Sequence, residues 1–335
     1  MLALLLACTP ADLDIGDTGR PPDTGDSGHV ETGDTDTGDS ADTGDTGIPA
    51  FDCDALPEPV EREMHGDGGS LGPRAYHDVI FDDAGQLFGS DTSSLLAASY
   101  DGDAQVFLPG FGVIDGMDRL PDGSFLVTDS SRGELVRVYM DGNTATVATG
   151  SLGVYGITIG PDSQAYVAPF TLGRGPSVAR VDPETGEVEE WLRLPSGLTP
   201  RVVIFNLDNT VAYIATIGDG RVYSVALDGD LNPAAEPEVY ARGIGSWHDG
   251  LGIDACGNLY VAEYTTSGLY RVRTDGTVED LLRHRSQRYG HGLEWGRGVG
   301  GWRMDALYQP QPYDNNTVRE VIIGVPSGAL FRLPG

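Results

Sequence analysis

The chain contains no lysine; all 21 of its basic residues are arginine. That excludes a Schiff-base nucleophile, a lysine general base and a P-loop, each of which needs an ε-ammonium group. Positive charge is scarce as well. Asp and Glu number 51 against 21 Arg, for a net charge of −30. Such a balance argues against nucleic acid as a partner and against charge-driven binding to anionic lipid. No run approaches the roughly 20 apolar residues of a membrane-spanning helix. Aromatic residues are missing altogether from residues 9–50. Cysteines are few: Cys8, Cys53 and Cys256. Neither Cys53 nor Cys256 has a neighbouring His or Cys that would suggest a metal site or a nucleophile.

What is present begins with MLALLLAC, whose Leu5-Leu6-Ala7-Cys8 resembles a lipobox. Residues 1–8 are therefore expected to be the remnant of a lipoprotein signal, with Cys8 acylated. That places the protein in the cell envelope of a bacterium, at the outer membrane or cell surface, touching the membrane only through its lipid. Residues 9–50 follow as a spacer. They hold five Asp-Thr-Gly triplets, with ten Asp and Glu31 set against Arg20. So little apolar surface cannot offset the entropy of ordering, which predicts a disordered acidic tether. Its flexible reach is roughly 35–40 Å, extended further by self-repulsion. In an oxidising compartment the two remaining cysteines, Cys53 and Cys256, form a candidate disulfide.

Residues 51–335 carry six copies of one pattern, beginning at Asp78, Asp115, Tyr155, Arg201, Asp249 and His291. The steps between them are 37, 40, 46, 48 and 42 residues. Each copy reads as short alternating apolar strands broken by Asp/Gly/Asn turns, as in Asp249–Val272 (DGLGIDACGNLYVAEYTTSGLYRV). A four-stranded propeller blade takes about 40–50 residues, so this period predicts an all-β, six-bladed β-propeller. Ring closure has two solutions. Either Ala329–Leu333 completes the sixth blade, or residues 57–64 add its outer strand.

The start of each repeat leads into the innermost strand, so residues far apart in sequence converge at the channel mouth. They are His77-Asp78, Asp115-Gly116, Tyr155-Gly156, Pro200-Arg201, His248-Asp249 and Gly290-His291. A ring of His and Asp suits a hard cation or a general base. The candidate roles are Asp249, Asp115 and Asp78 for a metal, His248, His77 and His291 for catalysis, and Arg201 and Tyr155 for substrate binding. Trp247, Tyr289, Tyr308 and Tyr313 are candidates for an aromatic rim.

The segment HDGLGIDACGNLYVAEY (residues 248–264) resembles the DGLAVDxxGNLWVA stretch of the regucalcin/gluconolactonase family of six-bladed propellers, with NHL-repeat propellers close in pattern. YGITIGPDSQAYVAPF (residues 155–170) looks like a blade of a virginiamycin B lyase-type propeller. The first resemblance implies a divalent cation, usually calcium, at the channel mouth, polarising a lactone carbonyl for attack by water. Asp249 matches that family's cation-binding Asp. Arg201 stands where its Asn is expected, and Tyr76-His77-Asp78 where its Glu is expected. A guanidinium repels a cation, so a rebuilt His/Asp/Arg site is the alternative.

Two readings follow. One is a surface propeller that binds a small-molecule or carbohydrate ligand, or a surface protein, without turnover. The other is a divalent-cation-dependent lactone or ester hydrolase. A lyase using His248, His291 and Glu294 is a third. The protein is expected to be monomeric.

Overall fold

The computed structural model describes residues 48–64, 72–150, 154–169, 177–265, 268–283, 292–311 and 317–331. Cys8, nearly all of the expected tether, His291, Tyr289 and Tyr313 lie outside the described residues. Within them, 24 strands form six antiparallel sheets of four. Five of these blades are consecutive in the chain, spanning 79–109, 114–149, 154–193, 199–242 and 248–283.

The sixth blade closes the ring. Glu294–Trp295, Ala306–Gln311 and Thr317–Ile322 are joined by Val60–Glu63 as the outermost strand, with Val60 opposite Ile322 and Glu63 opposite Arg319. The second of the two closure routes is thus the one taken. Ala329 instead lies in a short 3₁₀ turn, Gly328–Leu330.

Burial falls from the axis outward, which explains the apolar periodicity. The second strands of blades two and five, Phe125–Asp129 and Leu259–Glu263, are buried throughout, because neighbouring blades cover both faces. The outer strand Thr144–Thr149 is mostly exposed. Six apolar clusters fill the six blade-to-blade interfaces; in one, Ala215 and Val222 of blade four meet Leu251, Leu259 and Val261 of blade five.

Cys53 and Cys256 form a disulfide that ties the segment before the closing strand to the first turn of blade five. In that turn Asp254 accepts hydrogen bonds from the amides of Cys256 and Asn258 at 2.9 Å each, and Gly257 takes the positive φ of 82°.

Candidate functional site

Four of the residues singled out at the channel mouth share one structural cause. Asp115, Tyr155, Arg201 and Asp249 are each the extra residue of a β-bulge in an innermost strand. The register shifts between Ile114 and Gly116, Val154 and Gly156, Pro200 and Val202, and His248 and Gly250. A bulge leaves one residue out of the ladder and re-aims its side chain. After Asp115 and Tyr155 the following residue is a glycine, which allows the next blade to come close. A Cβ on Gly156 would meet the Arg201 carbonyl oxygen at 1.9 Å, and one on Gly116 the Tyr155 carbonyl at 2.3 Å. Thr128 locks the second contact: its hydroxyl donates to Tyr155 O at 2.9 Å and accepts from Gly116 N at 2.8 Å.

The bulged side chains form one buried network. Arg201 and Asp249, both fully buried, make a short ion pair. Trp247 Nε1 also donates to Asp249 Oδ1 at 2.9 Å. The Arg201 guanidinium lies over the Tyr155 ring, a cation–π contact. The Tyr155 hydroxyl is 3.3 Å from His77 Nδ1, and His77 Nε2 is 3.2 Å from Asp115 Oδ1. Burial drives the Tyr155 phenol well above its ordinary pKa, against the pull of the Arg201 charge. Tyr155 therefore stays neutral at any physiological pH.

Below the mouth the channel holds a cavity of about 350 Å³ whose wall includes Asp78, Asp115, Tyr155 and Asp249. It also includes Asp118 and Glu294. Asp78 accepts hydrogen bonds from Val79 N at 2.9 Å and Met117 N at 3.0 Å. Burial nevertheless pushes its pKa up to about 7, and nearby Asp118 adds to the rise. Glu294 is pushed up to about 8, first by burial and then by the charges of Asp118 and Asp78, with Arg297 opposing. Asp118 accepts from Arg119 N and Ile159 N, both at 2.6 Å.

The candidates therefore separate. His77, Asp115, Tyr155, Arg201 and Asp249 are brought together at the mouth. Asp78 sits deeper, with Asp118 and Glu294. His248 faces away: it is fully buried, its Nε2 is 2.9 Å from Ile244 O, and burial holds its ring below the ordinary histidine pKa. Tyr308 is no rim residue. It is fully buried against Phe81 and Trp302, and its hydroxyl donates to Glu320 at 2.7 Å. Sequence reasoning passed over Asp118. Its one signal was the two-residue spacing from Gly116, legible only once the bulge at Asp115 is known.

A divalent ion does not fit the mouth. Asp249 is engaged by Arg201, Asp115 faces His77, and Asp78 is held by two amides. Among the described residues no three His, Cys, Asp or Glu side chains converge on one point as a metal cluster.

No family model matches the chain, and no curated protein matches it. Solved structures do. Regucalcin from Agrobacterium tumefaciens, described as a calcium-binding protein, superposes with a TM-score of 0.62 at 18% identity, covering 80% of this chain and 95% of that one. The chain shares its fold with that protein. A gluconolactonase from Xanthomonas campestris gives 0.61 at 15% identity, over 83% of this chain and 97% of that one. Virginiamycin B lyase from Staphylococcus aureus gives 0.55 at 12% identity, over 79% and 99%. The six-bladed architecture and the likeness to regucalcin and gluconolactonase propellers are thus common to sequence and structure. At these identities the likeness speaks to fold, and one propeller fold hosts many chemistries.

Proposed function

We propose that this protein is a binding propeller that takes a small molecule in its central channel, held at the cell surface by a lipid on Cys8. The observation that carries the channel reading is the Arg201–Asp249 pair. A guanidinium stands where the resemblance to gluconolactonases places a cation-binding Asn, and the cavity beneath it is of ligand size. The Cys53–Cys256 disulfide supports a place outside the reducing cytosol.

The test is a thermal melt of the full chain, stripped with chelator, with and without calcium at matched ionic strength. A bound ligand at 100 times its dissociation constant adds about 2.7 kcal/mol, which a melt resolves. The expected result is no calcium shift in the wild type and a gained shift in Arg201→Asn, which frees Asp249. A wild-type shift abolished by Asp249→Asn would overturn this reading and establish the cation-dependent hydrolase. Metabolic labelling with a fatty-acid analogue tests the anchor: label must be lost in Cys8→Ser.

A further inference from the structure

The cavity in the channel opens at the end away from the bulges. At the repeat starts its wall is buried, at Asp115, Tyr155 and Asp249. Its exposed lining residues are Pro121, Arg297 and Ala329. Pro121 and Arg297 lie just beyond the ends of the innermost strands of blades two and six, Ile114–Arg119 and Glu294–Trp295. Ala329 lies in the C-terminal turn, which Ser327 pins to Asp254 at the end of the innermost strand of blade five. Given that the channel is a binding site, a ligand reaches it from this end.

That end holds a fork of arginines. Arg119 of blade two and Arg297 of blade six both line the cavity, and both turn to Asp83 in the first turn of blade one. Arg119 donates to the two Asp83 oxygens at 2.8 and 2.5 Å, and Arg297 to one of them at 3.2 Å. The bonds from Arg119, above all, hold the Asp83 carboxyl below its ordinary pKa. Asp83 is nevertheless held from the solvent side: its side chain is 70% exposed, against 17% for Arg119 and 43% for Arg297. A pair with so exposed a partner adds little to stability, so Asp83 can leave at small cost. Two guanidiniums from separate blades that meet on one carboxylate can take another in its place, because planar forks match the two oxygens. Arg119 also keeps an unmet donor: its buried Nε has no hydrogen-bond partner among the described residues.

We propose that the open end of the channel binds the carboxylate of a small organic acid between Arg119 and Arg297, displacing Asp83. The uncharged body of the acid extends past Ile159 and Ile204 into the cavity of about 350 Å³, a volume suited to a small ligand. There Glu294, pushed up to about 8 by burial, is mostly protonated at neutral pH. It donates a hydrogen bond to the ligand instead of repelling it. Asp83 is then the resident carboxylate that occupies the fork in the absence of ligand.

Cyclohexanecarboxylate and its neutral isostere cyclohexanecarboxamide test this. Each is added to the full-length protein at pH near 7 and matched ionic strength, in thermal melts and in titration calorimetry. The acid is expected to raise the melting temperature and to bind at least about tenfold tighter than the amide. Arg297→Gln should weaken the acid about tenfold. Asp83→Asn, which removes the resident competitor, should tighten it by about threefold or more. Arg283→Gln takes one exposed charge from the outer strand of blade five and should leave the acid's affinity unchanged, which controls for net charge. Ligand-free melts of each variant check the fold. Equal binding of acid and amide, or acid binding untouched by Arg297→Gln, overturns the carboxylate site and leaves the channel as a ligand site. Acid binding that Asp83→Asn fails to tighten overturns the displacement. Absence of binding by the acid, whether or not the amide binds, overturns the class. A calcium shift abolished by Asp249→Asn strikes instead at the non-metal reading on which the proposal rests.

Discussion

Arg201 shows how one residue changes the chemistry of a mouth. Its charge is wholly removed from water and matched by Asp249. Removing one partner of such a pair strands the other. Arg201→Ala is expected to cost about 3–5 kcal/mol in urea unfolding, and Arg201→Met with Asp249→Leu should recover much of that. Glu294 carries the pH dependence. Its folded pKa of about 8 lies above its ordinary 4.5, so the folded state favours the protonated form. The resulting stability is fully present below about pH 4.5 and is lost as pH rises through 8. Stability in urea should therefore fall between pH 5 and 9, and Glu294→Gln should remove on the order of 4 kcal/mol of that fall. An unchanged slope in the variant would show that the carboxyl is not desolvated as the structure has it. That the starts of the repeats would converge near the channel mouth was legible in the sequence; which of their side chains would face it was not, for His248 turns to Ile244 instead. That Arg201 would face Asp249 was not legible either, since the two come from different blades and meet only when the ring closes.

At the scale of single elements, the bulge and the glycine behind it hold the mouth together. Gly156→Ala places a methyl group against the Arg201 carbonyl, so blades three and four must part. A loss of about 2 kcal/mol or more is expected in chemical unfolding, with Gly229→Ala as a control for the loss of glycine alone. Gly229, like Gly156, does not have positive φ, and a Cβ there meets nothing within 4 Å. The alternation of apolar residues made the strands readable in advance. The bulges were not readable, because they shift the alternation by one residue and so hide which side chains face the channel. Asp118 was overlooked for that reason.

Across the whole molecule, two long-range links hold a ring whose ends are not covalently joined: the closing strand Val60–Glu63 and the Cys53–Cys256 disulfide. The disulfide closes a loop of 203 residues. The chain-entropy model assigns such a loop up to about 5 kcal/mol. Cys53→Ser with Cys256→Ser should lose roughly 2–5 kcal/mol in urea, and a reducing agent should do the same to the wild type and nothing to the variant.

By itself the sequence determined the repeat, the number of blades and the exclusion of lysine chemistry. All of these rest on local periodicity and composition, which survive without knowledge of distant contacts. The tertiary structure alone decided that residues 60–63 close the sixth blade and that Cys53 meets Cys256. It also decided that Arg201 neutralises Asp249, and that Asp78, Asp118 and Glu294 from three blades line one cavity. Each of these is a contact between segments tens to hundreds of residues apart. Such contacts are set by the packing of whole blades, which no local pattern in the chain encodes.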